Sequence, residues 1–208
     1  MRFLVLFFTF LLVFTNCNSL NTNDALQFEL EMFEIDHEKI NKKQKLKNIK
    51  KFSAKLDKQD DYHRFWHAVS LSMAAKYYGD LRLPLDALNT LKKVRVVFLK
   101  LYEKDECMFD GNLALSLAVI HFYAPTWPVS FGDFQKSEEY FEKSKKCYVD
   151  ETLFLWKYGE FLTTKKPNQR NKGLEFLNTA RKNLIQQDND LALHRIQEVE
   201  LILNKYGK

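Results

Sequence analysis

The sequence predicts an all-α protein of stacked antiparallel helix hairpins, and three observations carry this prediction. From residue 24 onward, apolar residues recur three or four positions apart, which is the spacing of one helix face. The 208 residues include only six glycines and four prolines, too few for the many turns of a β-sandwich. In the second half, a pattern of small and large residues returns at a fixed interval, as stacked hairpins require.

Residues 1–16 have the properties of a secretory signal peptide. Arg2 gives a positive start, and an almost entirely apolar run follows at positions 3–14. This run is shorter than the roughly 20 residues that a membrane-spanning helix needs, so removal after export is the favoured interpretation. An uncleaved signal anchor is the alternative.

Cys17 follows this segment directly and precedes a polar stretch that ends at residue 23. The arrangement resembles a bacterial lipoprotein signal, in which the cysteine becomes the lipidated first residue of the mature protein. Asn16 and Phe14 depart from the strict motif but fit the looser spirochaetal form. We therefore predict a lipid anchor on Cys17, with 17–23 as its tether. A free cysteine lost with the signal peptide is the alternative.

Residues 24–58 are predicted to form one long helix or two helices with a bend. The segment contains no glycine or proline, and its apolar residues Leu26, Leu30 and Phe33 fall at helical spacing. Six lysines in this segment make a basic cluster: Lys42, Lys43, Lys45, Lys47, Lys50 and Lys51. A solvated helix face explains the cluster, and attraction to anionic lipid headgroups is the functional alternative.

Residues 61–208 are predicted to form the stacked hairpins. Asp60 or Asp61 is suited to cap the first helix, and Pro84 is suited to open the second. The third helix, at about 112–123, is apolar on nearly all sides and should therefore be buried. Further helices are expected at about 134–147, 151–163, 170–185 and 191–206.

A repeat joins the later helices. It consists of a small residue, a large apolar residue four positions on and another small residue three positions beyond. The pattern occurs at Ser137, Phe141 and Ser144, returns 36 positions later at Gly173, Leu177 and Ala180, and has a weaker echo at Ala87, Leu91 and Val94. A period in the thirties with paired helices is typical of tetratricopeptide-type stacking, so we predict a tetratricopeptide-like superhelix.

The loop at 124–132, which contains Pro125 and Pro128, is longer than the tight turn of a standard repeat. Together with the helix that begins after Asp133, it resembles the T component of tripartite ATP-independent periplasmic (TRAP) transporters, and a related signature occurs in the regulator-of-microtubule-dynamics family. The resemblance covers about 61–184. It implies an extracytoplasmic lipoprotein with a superhelix of hairpins that docks a periplasmic solute-binding protein.

Three aromatic residues in and beside this loop are candidate binding residues for a partner or ligand: Tyr123, Trp127 and Phe131. Exposed aromatic side chains on a rigid turn can anchor a protein partner or line an apolar groove. The alternative is that the loop folds back and buries them in the core.

Two pairs of residues suggest covalent or metal chemistry. Cys107 precedes one helix and Cys147 ends its antiparallel partner, so the two could form a disulfide in an oxidising compartment. Two free thiols are the alternative. His63 and His67 share a helix face at zinc-binding spacing. The general-base glutamate and a third ligand are not evident, so we predict no metal site.

The remaining sequence features argue for binding rather than catalysis. We find no phosphate-binding glycine loop, no nucleophile-elbow serine and no dinucleotide fingerprint, and we predict neither an enzyme nor a cofactor. The net charge of +5 is mild and interspersed, which does not favour nucleic acid as a partner. The prediction is a periplasmic or cell-surface lipoprotein that docks another protein, with homo-oligomers allowed. The alternative is a carrier of a small hydrophobic ligand in an aromatic-lined pocket or channel.

Overall fold

The computed structural model describes residues 22–56, 60–147, 151–187 and 189–207, so the predicted signal peptide and Cys17 lie outside the described residues. The described residues form nine α-helices, and a short 3-10 turn leads into the eighth. Their bounds are α1 Thr22–His37, α2 Lys42–Lys55, α3 Asp61–Asp80, α4 Pro84–Tyr102, α5 Asn112–Tyr123, α6 Phe134–Lys146, α7 Glu151–Lys165, α8 Arg170–Ile185 and α9 Asp190–Tyr206.

The helices pack as consecutive hairpins, which confirms the predicted all-α stack. The closest pairs are α3 with α4, α5 with α6 and α7 with α8, while α2 packs on α3 and α9 packs on α8. Helix α5 is buried from Asn112 to Phe122, because it lies inside the stack. Aromatic rings fill much of the interior around it. Phe141 of α6, for example, stacks on Tyr158 of α7 at 4.9 Å between ring centroids.

The three triplets of the repeat occupy equivalent places in the second helix of each hairpin. All six residues of the 36-residue match are buried in α6 and α8. Ala87, Leu91 and Val94 are buried in α4 in the same way. In α6 the small residue also bonds its partner helix, because the Ser137 hydroxyl donates to the Ala118 carbonyl of α5 at 2.8 Å. The repeat therefore marks where the two helices of a hairpin meet.

The N-terminal segment forms two helices rather than one. Asn41 ends the break between them, since its side chain accepts the Gln44 N–H at 2.9 Å and caps α2. Of the apolar residues at helical spacing in α1, Phe33 packs against the core, but Leu26 and Leu30 are 48% and 42% exposed, whereas Ala25, Glu29 and Met32 are buried. The buried face combines Ala25 and Met32, which belong to the hydrophobic core, with Glu29, which pairs with Arg195 of the distant helix α9.

Candidate functional site

The loop between α5 and α6, residues 124–132, is closed at its base by backbone hydrogen bonds. Gly132 N–H donates to the Pro125 carbonyl at 2.9 Å, and Asp133 N–H donates to the His121 carbonyl at 3.1 Å. A side chain at position 132 would not fit, because its Cβ would lie 1.9 Å from the Ala124 carbonyl oxygen. The loop is thus pinned at both ends, and the Trp127–Pro128 peptide between them is cis.

The tip of this loop presents apolar side chains to solvent. Trp127 is 84% exposed and Val129 is 61% exposed, while the backbone on either side is held in the closed loop. An indole held outward in this way keeps a large apolar surface available for contact. Of the three aromatic residues singled out in the sequence, Trp127 is the exposed one.

The other two predicted binding residues point into the fold. Phe131 packs edge-on against the His121 ring at 5.4 Å between centroids, with the Arg95 guanidinium 5.2 Å from its own ring centroid. Tyr123 is partly buried, and its hydroxyl donates to the Glu160 carboxylate of α7. Tyr123 and Phe131 therefore support the loop from beneath, as the alternative of inward folding expected, and do not extend the exposed patch.

His121 is a buried part of that support which the sequence did not single out. Arg95 Nε of α4 donates to His121 Nε2 at 3.3 Å, and the Tyr140 ring lies 5.7 Å away. Burial, reinforced by the Arg95 charge, lowers the pKa of His121 to about 4. The imidazole is therefore neutral at physiological pH and accepts a hydrogen bond from Arg95. The backbone carbonyl of the same residue accepts the Asp133 N–H that closes the loop.

A second polar group that the sequence reasoning missed lies beneath Tyr123. Lys157 and Glu160 of α7 are both buried, and Lys157 Nζ lies 3.6 Å from Glu160 Oε2. Lys157 Nζ also lies 3.7 Å from the centroid of the Trp156 ring. Burial raises the pKa of Glu160, while Lys157 and the Tyr123 hydroxyl counteract that rise. Because these groups are enclosed, they fix the position of Tyr123 and are not accessible to a substrate.

Helix α1 joins the start of the described chain to its end. Its buried Glu29 carboxylate lies 3.6 Å from the buried Arg195 guanidinium of α9. About two turns further along α1, His37 Nε2 shares a hydrogen bond of 3.0 Å with His194 Nδ1. Both contacts link residues that are far apart in sequence, so no local pattern in α1 could have indicated them.

The same helix is also bound to α3. The Asp36 carboxylate accepts hydrogen bonds from Lys76 Nζ at 2.9 Å and from the Tyr77 hydroxyl at 2.7 Å. Burial acts to raise the pKa of Asp36, but Lys76 and Tyr77 outweigh it and lower the pKa. The Phe28 ring lies 5.8 Å from the Trp66 ring of α3. Helix α1 therefore covers surfaces of both α3 and α9.

The cysteine pair is bonded in the structure, whereas the two histidines of the other pair each bind a different neighbour. Cys107 and Cys147 are joined by a disulfide, with their Cα atoms 5.1 Å apart. His63 Nδ1 donates to Asp60 Oδ1 at 2.8 Å, and His67 Nδ1 donates to the Ser53 carbonyl at 3.0 Å. Within the described ranges, no group of three or more His, Cys, Asp or Glu side chains is placed to hold a metal ion.

Fold and loop together define the class: a helix-hairpin repeat protein with an exposed tryptophan on a closed loop. Comparison of the chain with profiles of known families, with curated proteins and with solved structures found no match. The resemblance to the T component of TRAP transporters therefore stays a prediction. Among the helices of the described residues, none has the length and apolar character required to cross a bilayer.

Proposed function

We propose that this protein is a non-enzymatic docking scaffold, in which loop 124–132 presents Trp127 and Val129 to a protein partner. The observation that carries the proposal is an almost fully exposed tryptophan on a loop that is closed by hydrogen bonds. Tryptophan is among the residues that most often dominate binding energy at protein interfaces. A preorganised loop also loses little conformational freedom on binding, which leaves more of the contact energy for affinity.

The proposed compartment is extracytoplasmic, with a lipid anchor on Cys17. The disulfide between Cys107 and Cys147 supports this placement, because such bonds persist in the periplasm and outside the cell. The resemblance of the loop to the T component of TRAP transporters makes a periplasmic solute-binding protein the expected partner. Capture from the native envelope identifies the partner and so tests this expectation.

The alternative, a carrier of a hydrophobic ligand, has less support. In the described interior, the ring centroids of Phe141, Tyr158 and Phe161 lie 4.9–6.2 Å apart. These rings pack against one another and not around a ligand. A surface depression of 420 Å³ on α6 lies open to solvent among charged and amide residues, unlike the enclosed cavity that suits a hydrophobic ligand. Native mass spectrometry that finds a bound lipid would favour the carrier instead.

The test removes the exposed patch and measures partner capture. Trp127→Ala/Val129→Ala is compared with Leu85→Ala/Leu201→Ala, which removes two exposed apolar side chains from α4 and α9. Partners captured from the native envelope are identified, purified and re-measured by titration. We expect the loop variant to bind roughly tenfold or more weakly and the control variant to bind as the wild type does. Equal binding by all three proteins would reject the loop as the docking site.

A further inference from the structure

Helix α2 is the most strongly basic element of the described chain. Its sequence from Lys42 to Lys55 contains seven lysines and no acidic residue. One side of the helix is apolar and buried through Leu46, Ile49 and Phe52, which pack on the rest of the fold. Most lysines lie on the opposite side, where their side chains are exposed to solvent.

Four of these lysines form a continuous charged strip. Lys43, Lys47, Lys50 and Lys51 are all exposed, and their spacing places them within an arc of about 100° on the helix surface. The strip is about 12 Å long, from the first to the last of the four Cα atoms. We call these four side chains the lysine face.

Three other lysines of α2 have acceptors in the structure, whereas the lysine face does not pair with a described carboxylate. Lys42 pairs with Asp80 at 3.2 Å, Lys55 pairs with Glu31 at 3.7 Å, and Lys45 Nζ donates to the Asp36 carbonyl. In the part of the chain that the structure describes, the four ammonium groups of the lysine face form no ion pair. Their charges therefore face solvent without a directly bound carboxylate.

We propose that the lysine face binds the anionic headgroups of a phospholipid bilayer. A strip of ammonium groups on the outside of a rigid helix can lie flat on a charged plane, with all four groups near headgroup phosphates at once. Each lysine near an anionic surface strengthens partitioning about fivefold at moderate salt. The complementary charge is the first argument for this partner.

The position of the proposed anchor is the second argument, and it alone rests on the proposed function. Helix α1 begins at Thr22, only a few residues after Cys17, so a fully extended tether spans less than about 20 Å. The first turns of α1 lie beside the C-terminal half of α2, where the Phe28 and Phe52 rings are 6.2 Å apart. An acylated Cys17 would therefore hold the lysine face within reach of the membrane, where anchor and charges act together.

The experiment measures vesicle binding without the lipid anchor, so that failure of anchoring and failure of this proposal are distinguishable. The chain from residue 17 onward, with Cys17→Ser, retains every residue of the described core, which extends from Ala25 to Ile202. Sedimentation is measured with vesicles of phosphatidylcholine alone and with vesicles that also contain phosphatidylglycerol. Binding should require the anionic lipid and weaken as salt is raised, because salt screens the charges.

A matched pair of variants locates the effect. Lys43→Gln, Lys47→Gln, Lys50→Gln and Lys51→Gln are combined in one protein. The control combines Lys92→Gln, Lys93→Gln, Lys145→Gln and Lys146→Gln, which removes the same charge from exposed sites on α4 and α6. We expect partitioning to fall by roughly several hundredfold in the first variant, at about fivefold for each of the four lysines, and to change little in the control. Circular dichroism and thermal melting verify that both variants are folded.

Several outcomes would overturn the proposal. Equal losses in both variants would mean that net charge alone drives binding, and equal binding to neutral vesicles would exclude headgroup recognition. A soluble polyanion such as heparin that binds more tightly than the vesicles would point to a different class of partner. The lysine variant should still capture the protein partner of loop 124–132, since the lysine face lies on α2 and Trp127 lies in that loop.

Discussion

Gly173 shows how the absence of one side chain sets the distance between two helices. A Cβ at this position would lie 2.4 Å from Thr163 Oγ1 and 2.8 Å from the Gly159 carbonyl oxygen. A Cβ at Gly159 would likewise lie 2.9 Å from the Gly173 carbonyl oxygen. Helices α7 and α8 therefore cross with their backbones in contact. The sequence repeat identified Gly173 as a small position, and the structure shows why the position must be small.

His121 also acts at the scale of one residue, through its charge state. In the unfolded chain a histidine takes up a proton near pH 6.5, whereas the folded protein excludes that proton until about pH 4. Stability should therefore fall as the pH falls through this window, because the unfolded state binds more protons there. We expect His121 to account for up to about 3 kcal/mol of this loss.

Urea unfolding of the wild type and of His121→Gln, across this pH range, measures that contribution. The difference in unfolding free energy between the two proteins should shrink as the pH is lowered, since glutamine does not titrate. Carboxylates that titrate in the same range are common to both proteins and cancel in the comparison. Parallel pH profiles would show that His121 does not carry the effect.

At the scale of the element, α1 is held by buried charged side chains as well as by its apolar and aromatic contacts. Glu29 and Arg195 form a buried pair between α1 and α9, and Asp36 is bound by Lys76 of α3. Buried charges of this kind are costly to separate, because each would remain in a medium that solvates it poorly. The position of α1 is therefore set by ion pairs with two helices that lie far from it in sequence, α3 and α9.

The Glu29–Arg195 pair gives a prediction with an internal control. Arg195→Met should destabilise the protein by about 3–5 kcal/mol, because it leaves a buried carboxylate without its cationic partner. The same change in the exposed Arg181–Glu200 pair, Arg181→Met, should cost less than about 1 kcal/mol. Chemical denaturation of the two variants and of Glu29→Met/Arg195→Met supplies the comparison. A double variant no more stable than Arg195→Met would contradict the cost assigned to the buried carboxylate that has lost Arg195.

At the scale of the whole molecule, the stack is reinforced by one covalent bond. The disulfide between Cys107 and Cys147 joins the segment before α5 to the end of α6, 40 residues apart in sequence. A bond that closes a segment of this length restricts the unfolded chain and thereby stabilises the folded one. It ties the ends of the middle hairpin, on which both neighbouring hairpins pack.

Removal of the disulfide should lower the unfolding free energy by about 2–4 kcal/mol. The Cys107→Ser/Cys147→Ser variant and the wild type are unfolded in urea with and without a reductant. The reductant should bring the wild type to the stability of the variant and leave the variant unchanged. A wild type that does not respond to the reductant, at full reduction of the bond, would contradict the prediction.

The sequence by itself determined the helices and their pairing. Helical spacing, capping residues and breaks at proline are local signals that the sequence contains. The repeat at Ser137 and Gly173 marks helix contacts, because two helices can approach closely only where small residues lie between them. The antiparallel order of consecutive helices also brought Cys107 and Cys147 to one end of a hairpin. These features follow from residues within one or two neighbouring elements.

Only the tertiary structure decided which faces are buried where distant elements meet. Helix α1 buries Glu29 and exposes Leu26 because Arg195, far along the chain, offers a charge partner on α9. Tyr123 faces inward because the Glu160 carboxylate of α7 accepts a hydrogen bond from its hydroxyl. Trp127 faces outward because the loop closes on its own backbone. Periodicity records that a residue is apolar, but burial depends on what lies opposite it, and that is fixed only when the chain has folded.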